Sequence, residues 1–224
     1  MRLLLDAMSK PPTGSRCYAC GVQTDLSWEH APPTSWFSSP NSTSLIAVPA
    51  CKAHNEDNSG GVEWVRDILA AMHDPKSPDG LTRGGESAKK QGLGHLTELE
   101  VQQKPETVRG IAVRTSGVPA QTIHEIFRAI GDALRFHLTD EPLQTTWKVY
   151  APGLESSVPD AAKRMVETML AGTRWQSQHI AFPEEFAWST ASYEGQEMYR
   201  LTFLKQLDVF LISPPTVDTE AAHD

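Results

Sequence analysis

The sequence predicts an α+β protein in which a zinc-stapled N-terminal unit is followed by a small α+β domain. Three observations indicate this class. Cysteine and histidine residues pair twice at metal-ligand spacing near the N-terminus, and short strand-like segments accompany those pairs. In the second half of the chain, amphipathic helical patterns precede alternating strand patterns. With 224 residues, the chain is long enough for one large domain or two small ones.

The composition is typical of a soluble globular protein and indicates a reducing compartment. The formal net charge of −8 argues against a generic nucleic-acid-coating protein, because such proteins are normally basic. No segment approaches the roughly 20 apolar residues of a membrane-spanning helix. The N-terminal MRLLLDAM carries Asp6 inside its short apolar run, unlike a signal peptide. Since three cysteines are an odd number for a disulfide framework, we expect a cytoplasmic protein.

The three cysteines form a pattern that is typical of a structural zinc site. Cys17 and Cys20 form a CxxC motif followed by Gly21, as in a zinc knuckle. Cys51 and His54 repeat the same spacing. Three thiolates and one imidazole make the closed tetrahedral ligand set of structural zinc. The alternatives are three unrelated buried cysteines or a redox CxxC motif, but a redox motif would open a helix after a strand, which GSRCYACGVQ does not resemble.

Two short strands are predicted between the zinc-ligand pairs, and a helix is predicted after them. The first strand covers 26–30 and ends at an Ala-Pro-Pro turn, and the second covers 45–48. Beyond the second ligand pair, apolar residues recur at helical spacing, namely Val62, Val65, Ile68, Leu69 and Met72. Zinc would hold the two strands and the start of the helix together, in a unit too small to be stable by core burial alone.

In combination, these residues resemble the zinc-stapled HNH endonucleases, which have a ββα-metal fold. The resemblance covers about residues 15–72 and depends on the CxxC motif, WEHAPPTSWF and VPACKAHN. It implies metal-dependent hydrolysis of phosphodiester bonds in nucleic acid, with DNA as the expected substrate. The family's catalytic histidine falls on His30, the acidic metal ligand beside it on Glu29, and the last family position on Asn55. The family's middle asparagine is replaced here by Ser44.

The same residues suit this chemistry without reference to a family. Phosphodiester hydrolysis needs a base to deprotonate water and a cation to offset charge on the phosphate. His30 offers the base, and Glu29 and Asn55 offer oxygen ligands suited to Mg²⁺ or Mn²⁺. Adjacent strand residues face opposite sides, so Glu29 and His30 can share a site only if the strand ends or bulges between them. Alternatively, Glu29 and His30 are a solvated strand end and Asn55 is a capping residue.

Beyond the N-terminal unit, the sequence predicts a linker and then an accessory domain. Segment 73–95 is rich in Gly, Pro, Ser and charge, which is typical of a linker or mobile loop. Mild proteolysis is therefore expected to cut there and to release a folded C-terminal fragment. The predicted boundaries are an HNH nuclease unit at 1–73, the linker at 74–117, an α+β domain at 118–213 and a disordered tail at 214–224. Within the α+β domain, helices are expected at 118–140 and 157–172, and strands at 145–152, 186–193, 197–204 and 207–213.

Two functions from different classes follow from the sequence. The first is a metal-dependent HNH endonuclease with a structural Zn²⁺ and a catalytic Mg²⁺ or Mn²⁺. The second is a zinc-binding interaction module with weak or no activity, such as a subunit of a bacterial defence or phage-related complex. The Glu29-His30 pair and Asn55 favour the enzyme, whereas Ser44 and the negative charge favour the module. The acidity of the C-terminal domain indicates a protein partner or self-association, and we expect no membrane partner.

Overall fold

A computed structural model describes most of the N-terminal unit and of the C-terminal domain. The described residues are 10–37, 45–56, 62–63, 65–66, 69, 101–102, 112–113, 120–142, 146–151, 160–177, 185–205 and 207–215. The chain contains both helices and strands, which confirms the α+β class. The predictions for most of the linker and most of the tail lie outside the described residues.

Two antiparallel strands form the N-terminal hairpin. β1 (Leu26–Ala31) and β2 (Ile46–Cys51) pair along their whole length in an unbroken register. A 3-10 turn (Thr34–Trp36) follows β1, and α1 (Lys52–Glu56) follows β2 directly. This confirms the predicted order of strand, strand and helix. The residues described between 62 and 69 are also helical, as their apolar spacing predicts.

The second half of the chain forms an antiparallel sheet with a long helix packed against it. The elements in chain order are β3 (Val101–Gln102), β4 (Ala112–Val113), α2 (Ala120–Thr139), β5 (Lys148–Tyr150), α3 (Asp160–Gly172), β6 (Gln176–Ser177), β7 (Phe186–Tyr193), β8 (Gln196–Phe203) and β9 (Leu207–Ile212). Among the described residues, five strands form the sheet in the order β5-β9-β8-β7-β6, and β3 pairs with β4 separately. The predicted helices and strands of this region are confirmed. Within the described ranges, no helix combines the length and the apolar character needed to span a membrane.

The long helix α2 buries one apolar stripe against the sheet. The buried residues recur at helical spacing and are Ile123, Ile126, Phe127, Ile130 and Leu134. Gly131 of α2 lies close to the side chains of Leu211 and Trp147. A Cβ atom there would lie 2.9 Å from a Leu211 methyl group and 3.0 Å from the Trp147 indole nitrogen. Glycine at this position therefore lets the helix and the sheet pack directly on each other.

One hydrophobic core contains side chains from both halves of the chain. Trp36, Val65 and Leu69 of the N-terminal unit lie in the same buried cluster as Phe127 and Phe203. The Trp36 ring lies 6.1 Å from the Phe127 ring and 5.7 Å from the Phe203 ring, measured between centroids. Both pairs have the edge-to-face geometry that aromatic rings prefer. The chain boundary at 74–117 stays a prediction, but the units on its two sides share a core.

This shared core changes the expected outcome of limited proteolysis. Cleavage within 73–95 is still expected from the composition, but the two fragments should stay associated, because separation would expose Trp36 and its aromatic partners to water. Size-exclusion chromatography of the cut protein should give one peak that contains both fragments and that separates only in denaturant. Trp36→Ala should promote their separation, and Tyr193→Ala, at the exposed end of β7, is the matched control. A folded C-terminal fragment that elutes alone from wild-type protein would contradict this expectation.

Candidate metal centre

Cys17, Cys20, Cys51 and His54 meet at the base of the hairpin, as the sequence predicts. Their ligand atoms all lie within 4.8 Å of one another. The Sγ atoms of Cys20 and Cys51 are 3.8 Å apart, and Cys17 Sγ lies 3.6 Å from His54 Nδ1. A tetrahedral zinc site with bonds of about 2.3 Å to sulfur and about 2.0–2.1 Å to nitrogen has ligand-to-ligand distances of about 3.8 Å and about 3.6 Å. The distances between these ligand atoms and the types of ligand are therefore suited to a metal ion such as zinc.

Backbone hydrogen bonds fix the CxxC turn so that the thiols of Cys17 and Cys20 both lie in the metal-ligand group. The Gly21 N–H donates to the Cys17 carbonyl oxygen at 2.9 Å, and the Cys17 N–H donates to the Val22 carbonyl oxygen at 2.8 Å. Gly21 has a φ of +74°, which glycine adopts without steric cost. The Tyr18 N–H donates to the carbonyl oxygen of Pro49 at 2.8 Å, and this bond docks the turn onto β2. Cys51 ends that same strand, so the second ligand pair is placed beside the first.

The thiols of this group favour a bound cation. Burial raises the pKa of the Cys17 thiol, but backbone N–H groups, that of Cys51 first and those of Cys20 and Ala19 after it, outweigh burial and bring the pKa below its ordinary value. At Cys20, the Val22 N–H lowers the thiol pKa, whereas burial and the neighbouring thiols raise it, so the net pKa is above its ordinary value. A negatively charged thiolate disfavours ionisation of a neighbouring thiol. A metal ion bound between the two sulfur atoms offsets this repulsion.

The two faces of β1 carry different predicted site residues. Side chains alternate along the strand, so Ser27, Glu29 and Ala31 project from one face, and Trp28 and His30 project from the other. Pairing continues without a bulge to Ala31, so the strand neither ends nor bulges between Glu29 and His30. The structure therefore does not bring these two side chains together on one face. On the His30 side, the indole N–H of Trp28 is buried and has no hydrogen-bond partner within the described ranges.

Asn55 lies on the Glu29 side of the hairpin. Its side-chain amide donates to the Ser27 hydroxyl oxygen at 2.7 Å, and Ser27 precedes Glu29 by two residues on the same face. Because α1 begins at Lys52, Asn55 is not the N-cap of that helix. The structure thus places two of the three predicted catalytic residues, Glu29 and Asn55, on a common face.

The carboxyl group of Glu29 is mostly buried and only partly satisfied. Its Oε2 atom is buried and has no hydrogen-bond partner among the residues that the structure describes. Burial raises the pKa of Glu29 to about 7, although the Tyr18 hydrogen bond lowers it. A buried carboxylate oxygen without a partner is stabilised by a proton or by a cation. Glu29 therefore fits the role of a ligand to a hard divalent cation.

Two residues of this region were missed by the sequence interpretation. Tyr18 is 1% exposed and lies between the two knuckle cysteines, and Asp132 of α2 is buried and accepts the Trp147 indole N–H at 2.8 Å. Burial, followed by the charges of Glu29 and Asp132, raises the pKa of the Tyr18 phenol. The sequence gives no sign that a tyrosine inside a CxxC motif will be buried. Its burial depends on how the knuckle docks onto β1 and α2.

Comparison with known proteins finds no matching family model, no matching curated protein and no matching solved structure. Function is therefore inferred from the residues and the geometry of this site alone. The HNH resemblance stays a hypothesis that depends on the motif residues and on the arrangement described above.

The raised pKa of Glu29 predicts a pH-dependent effect of Glu29→Gln. In the folded protein this pKa is about 7, against an ordinary value of 4.5, so the contribution of the carboxyl group to stability is fully present below about pH 4.5 and is lost as pH rises through 7. The free energy of unfolding of Glu29→Gln, relative to wild type, should rise by roughly 3 kcal/mol across this range. Urea unfolding of zinc-loaded protein from pH 5 to 8.5 measures the difference.

The matched control is Glu194→Gln, at the exposed β7–β8 turn. Its stability relative to wild type should not follow the same trend. A Glu29→Gln difference that is flat with pH would mean that the Glu29 carboxyl group is fully satisfied in the folded protein.

Proposed function

We propose that this protein is an HNH-type endonuclease that hydrolyses phosphodiester bonds in nucleic acid, with DNA as its substrate class. The observation that carries the proposal is the common face of Glu29 and Asn55 beside the zinc-ligand group. There, a hairpin and a following helix are joined by four potential zinc ligands, and a carboxylate oxygen is buried with no hydrogen-bond partner in the described part of the chain. The order of these elements is that of the ββα-metal fold that the sequence motifs resemble.

The two metals have separate roles in this proposal. Zinc on the cysteine and histidine ligands is structural, because four protein ligands leave no open coordination position. A Mg²⁺ or Mn²⁺ ion would be held by Glu29 Oε2 and by the amide oxygen of Asn55, whose amide nitrogen already donates to Ser27. When bound, this ion supplies positive charge that offsets the charge on the phosphate and on the leaving oxygen.

His30 is the proposed general base. It lies one residue before the end of β1, and its imidazole would accept a proton from the attacking water. Because His30 and Glu29 face opposite sides of β1, the proposal requires the phosphate to bind at the end of the strand, where it could contact both faces. The rest of the site holds the cation ligands in place through the zinc-ligand group and the Ser27–Asn55 hydrogen bond.

A zinc-binding interaction module is the second candidate, and the burial of Glu29 is the observation that favours it. In that case Glu29 and the buried Tyr18 belong to the interface between the hairpin and α2, and no second cation binds. The net charge of −8 suits a protein partner, such as another subunit of a defence or phage-related complex, better than bare DNA. Either function is proposed for the cytoplasm, since zinc-binding thiols need a reducing compartment.

The test of the nuclease proposal is nicking of supercoiled plasmid by zinc-loaded protein in Mg²⁺ or Mn²⁺. We expect relaxed and then linear DNA, with activity lost when the free divalent cation is removed and regained when it is added back. Asn55→Ala should be slower than wild type and partly rescued by higher cation concentration, because a lost ligand weakens cation binding. No cleavage of double-stranded DNA, single-stranded DNA or RNA would contradict the nuclease proposal and favour the interaction module.

A further inference from the structure

The four ligands of the candidate zinc site differ in their exposure to solvent. Cys17 is fully buried, Cys51 and His54 are half-buried, and Cys20 is exposed. We propose that the thiolate of Cys20 is an oxidation site, at which hydrogen peroxide joins Cys20 to Cys51 in a disulfide and zinc is released. This inference goes beyond the nuclease reaction, because it concerns the zinc-ligand group alone. It makes the fold of the N-terminal unit sensitive to oxidants.

Cys20 is the ligand that a small oxidant can reach. The first half of the CxxC turn is docked onto β2, because the Tyr18 N–H donates to the Pro49 carbonyl oxygen at 2.8 Å. Cys17 is 0% exposed and lies in a buried cluster with Phe136 of α2. Cys20 ends the same motif, and it is the exposed member of the ligand set. A cysteine bound to zinc is a thiolate, and oxidation favours thiolates that are open to solvent, so peroxide should attack Cys20 before Cys17.

Cys51 is the partner that the geometry provides for an oxidised Cys20. Its Sγ atom lies 3.8 Å from that of Cys20, and Cys51 ends β2, outside the CxxC motif. A disulfide bond is about 2.0 Å long, so the two sulfur atoms have to approach each other by about 1.8 Å. Rotation of the exposed Cys20 side chain can supply this movement. Cys17 is the alternative partner, but its sulfur is held in the buried cluster and is less free to move toward the surface.

The reaction balances with peroxide as the only oxidant. The Cys20 thiolate attacks one peroxide oxygen, the O–O bond breaks, and Cys20 becomes a sulfenic acid while hydroxide leaves. The Cys51 thiolate then attacks the Cys20 sulfur, an S–S bond forms, and the S–O bond breaks to release a second hydroxide. Two electrons pass from the two sulfur atoms to peroxide, and two protons from solvent convert the hydroxides to water. Cys17 and His54 are then the remaining ligands, and two ligands are too few for a structural zinc site.

Peroxide treatment of the zinc-loaded full-length protein tests this site without nucleic acid. We expect loss of the bound zinc, measured with a chromogenic chelator against a sample that received catalase first. Mass spectrometry of peptides with blocked free thiols should find a Cys20–Cys51 disulfide. Dithiothreitol and added zinc should restore the zinc content, as for a redox-sensing disulfide in a reducing compartment.

Two variants separate the exposed thiol from the rest of the ligand group. Cys20→His replaces this thiol by another type of zinc ligand, and it should keep zinc at peroxide concentrations that empty wild type. Arg16→Ala is the matched control, because Arg16 precedes the ligand Cys17 and is not itself a ligand. This variant should release zinc at the wild-type rate.

The wild-type measurements decide the inference even if Cys20→His does not fold. Retention of zinc under peroxide, or release of zinc with a Cys17–Cys20 disulfide, would overturn it. A sulfinic acid at Cys20 without a cross-link to Cys51, or a disulfide between two chains, would overturn it as well. Wild type purified without zinc would also contradict it, because there would be no metal to release. None of these results depends on plasmid nicking, so the nuclease proposal is tested separately.

Discussion

Protein purified without chelator should contain one zinc ion per chain, and Cys17→Ser or Cys51→Ser should lose it and unfold the N-terminal unit. A structural zinc site in small domains contributes an apparent binding free energy of about 10–16 kcal/mol near neutral pH. That exceeds or matches the whole stability of a typical domain, about 5–15 kcal/mol. Elemental analysis measures the zinc, and near-ultraviolet circular dichroism with urea unfolding measures the loss of packing.

The loss should extend into the C-terminal domain, because Cys17 and Tyr18 are buried in one cluster with Ala133 and Phe136 of α2. The matched control is Arg16→Ala, which removes an exposed hydrogen bond of 3.1 Å to the Asp140 carbonyl oxygen. Arg16 neighbours a ligand but is not one, so this variant should keep its zinc and change stability by less than about 1 kcal/mol. Zinc content well below one ion per chain in wild type would rule out the structural zinc site.

The zinc ligands and most secondary structure could be predicted from the sequence because their signals are local. Ligand spacing in the two pairs is set by the geometry of a single turn. The apolar stripe of α2 repeats within one helix, and the β7–β8 strands alternate around the turn at Glu194 and Gly195, both of which have positive φ. Each of these patterns is complete within a few residues, so tertiary contacts are not needed to recognise it.

The shared core and the environment of Glu29 could not be predicted because they depend on contacts between distant segments. Trp36 lies in the short turn after β1, but its ring contacts Phe127 and Phe203, which lie far along the chain. The change of composition at 73–95 reflects local polarity and carries no information about which surfaces pack together. Likewise, alternation along β1 predicts that Glu29 and His30 face opposite sides, but it does not show that the Ala31 side packs against Tyr18 and Phe136.

Replacement of His30 by alanine should reduce the rate of plasmid nicking by about 10²- to 10⁴-fold, the range expected for loss of a general base. Zinc content and fold should not change, because His30 is outside the zinc-ligand group and lies partly exposed near the end of β1. Nicking rates under single-turnover conditions, with zinc measured in each sample, test this expectation. The matched control is His124→Ala, a partly exposed histidine on α2 that should retain wild-type activity.

The pH and cation dependence of the variants distinguishes a base from a ligand. Wild-type nicking should slow toward acid pH, because a protonated imidazole cannot accept a proton from water. Added Mg²⁺ or Mn²⁺ should partly restore Asn55→Ala, which has lost a proposed ligand, but it should not restore His30→Ala. If His30→Ala nicks DNA as fast as wild type, the base is another group. If neither variant nor wild type nicks DNA, the arrangement of Glu29 and Tyr18 is part of a protein interface, and the zinc-binding module becomes the better account of the fold.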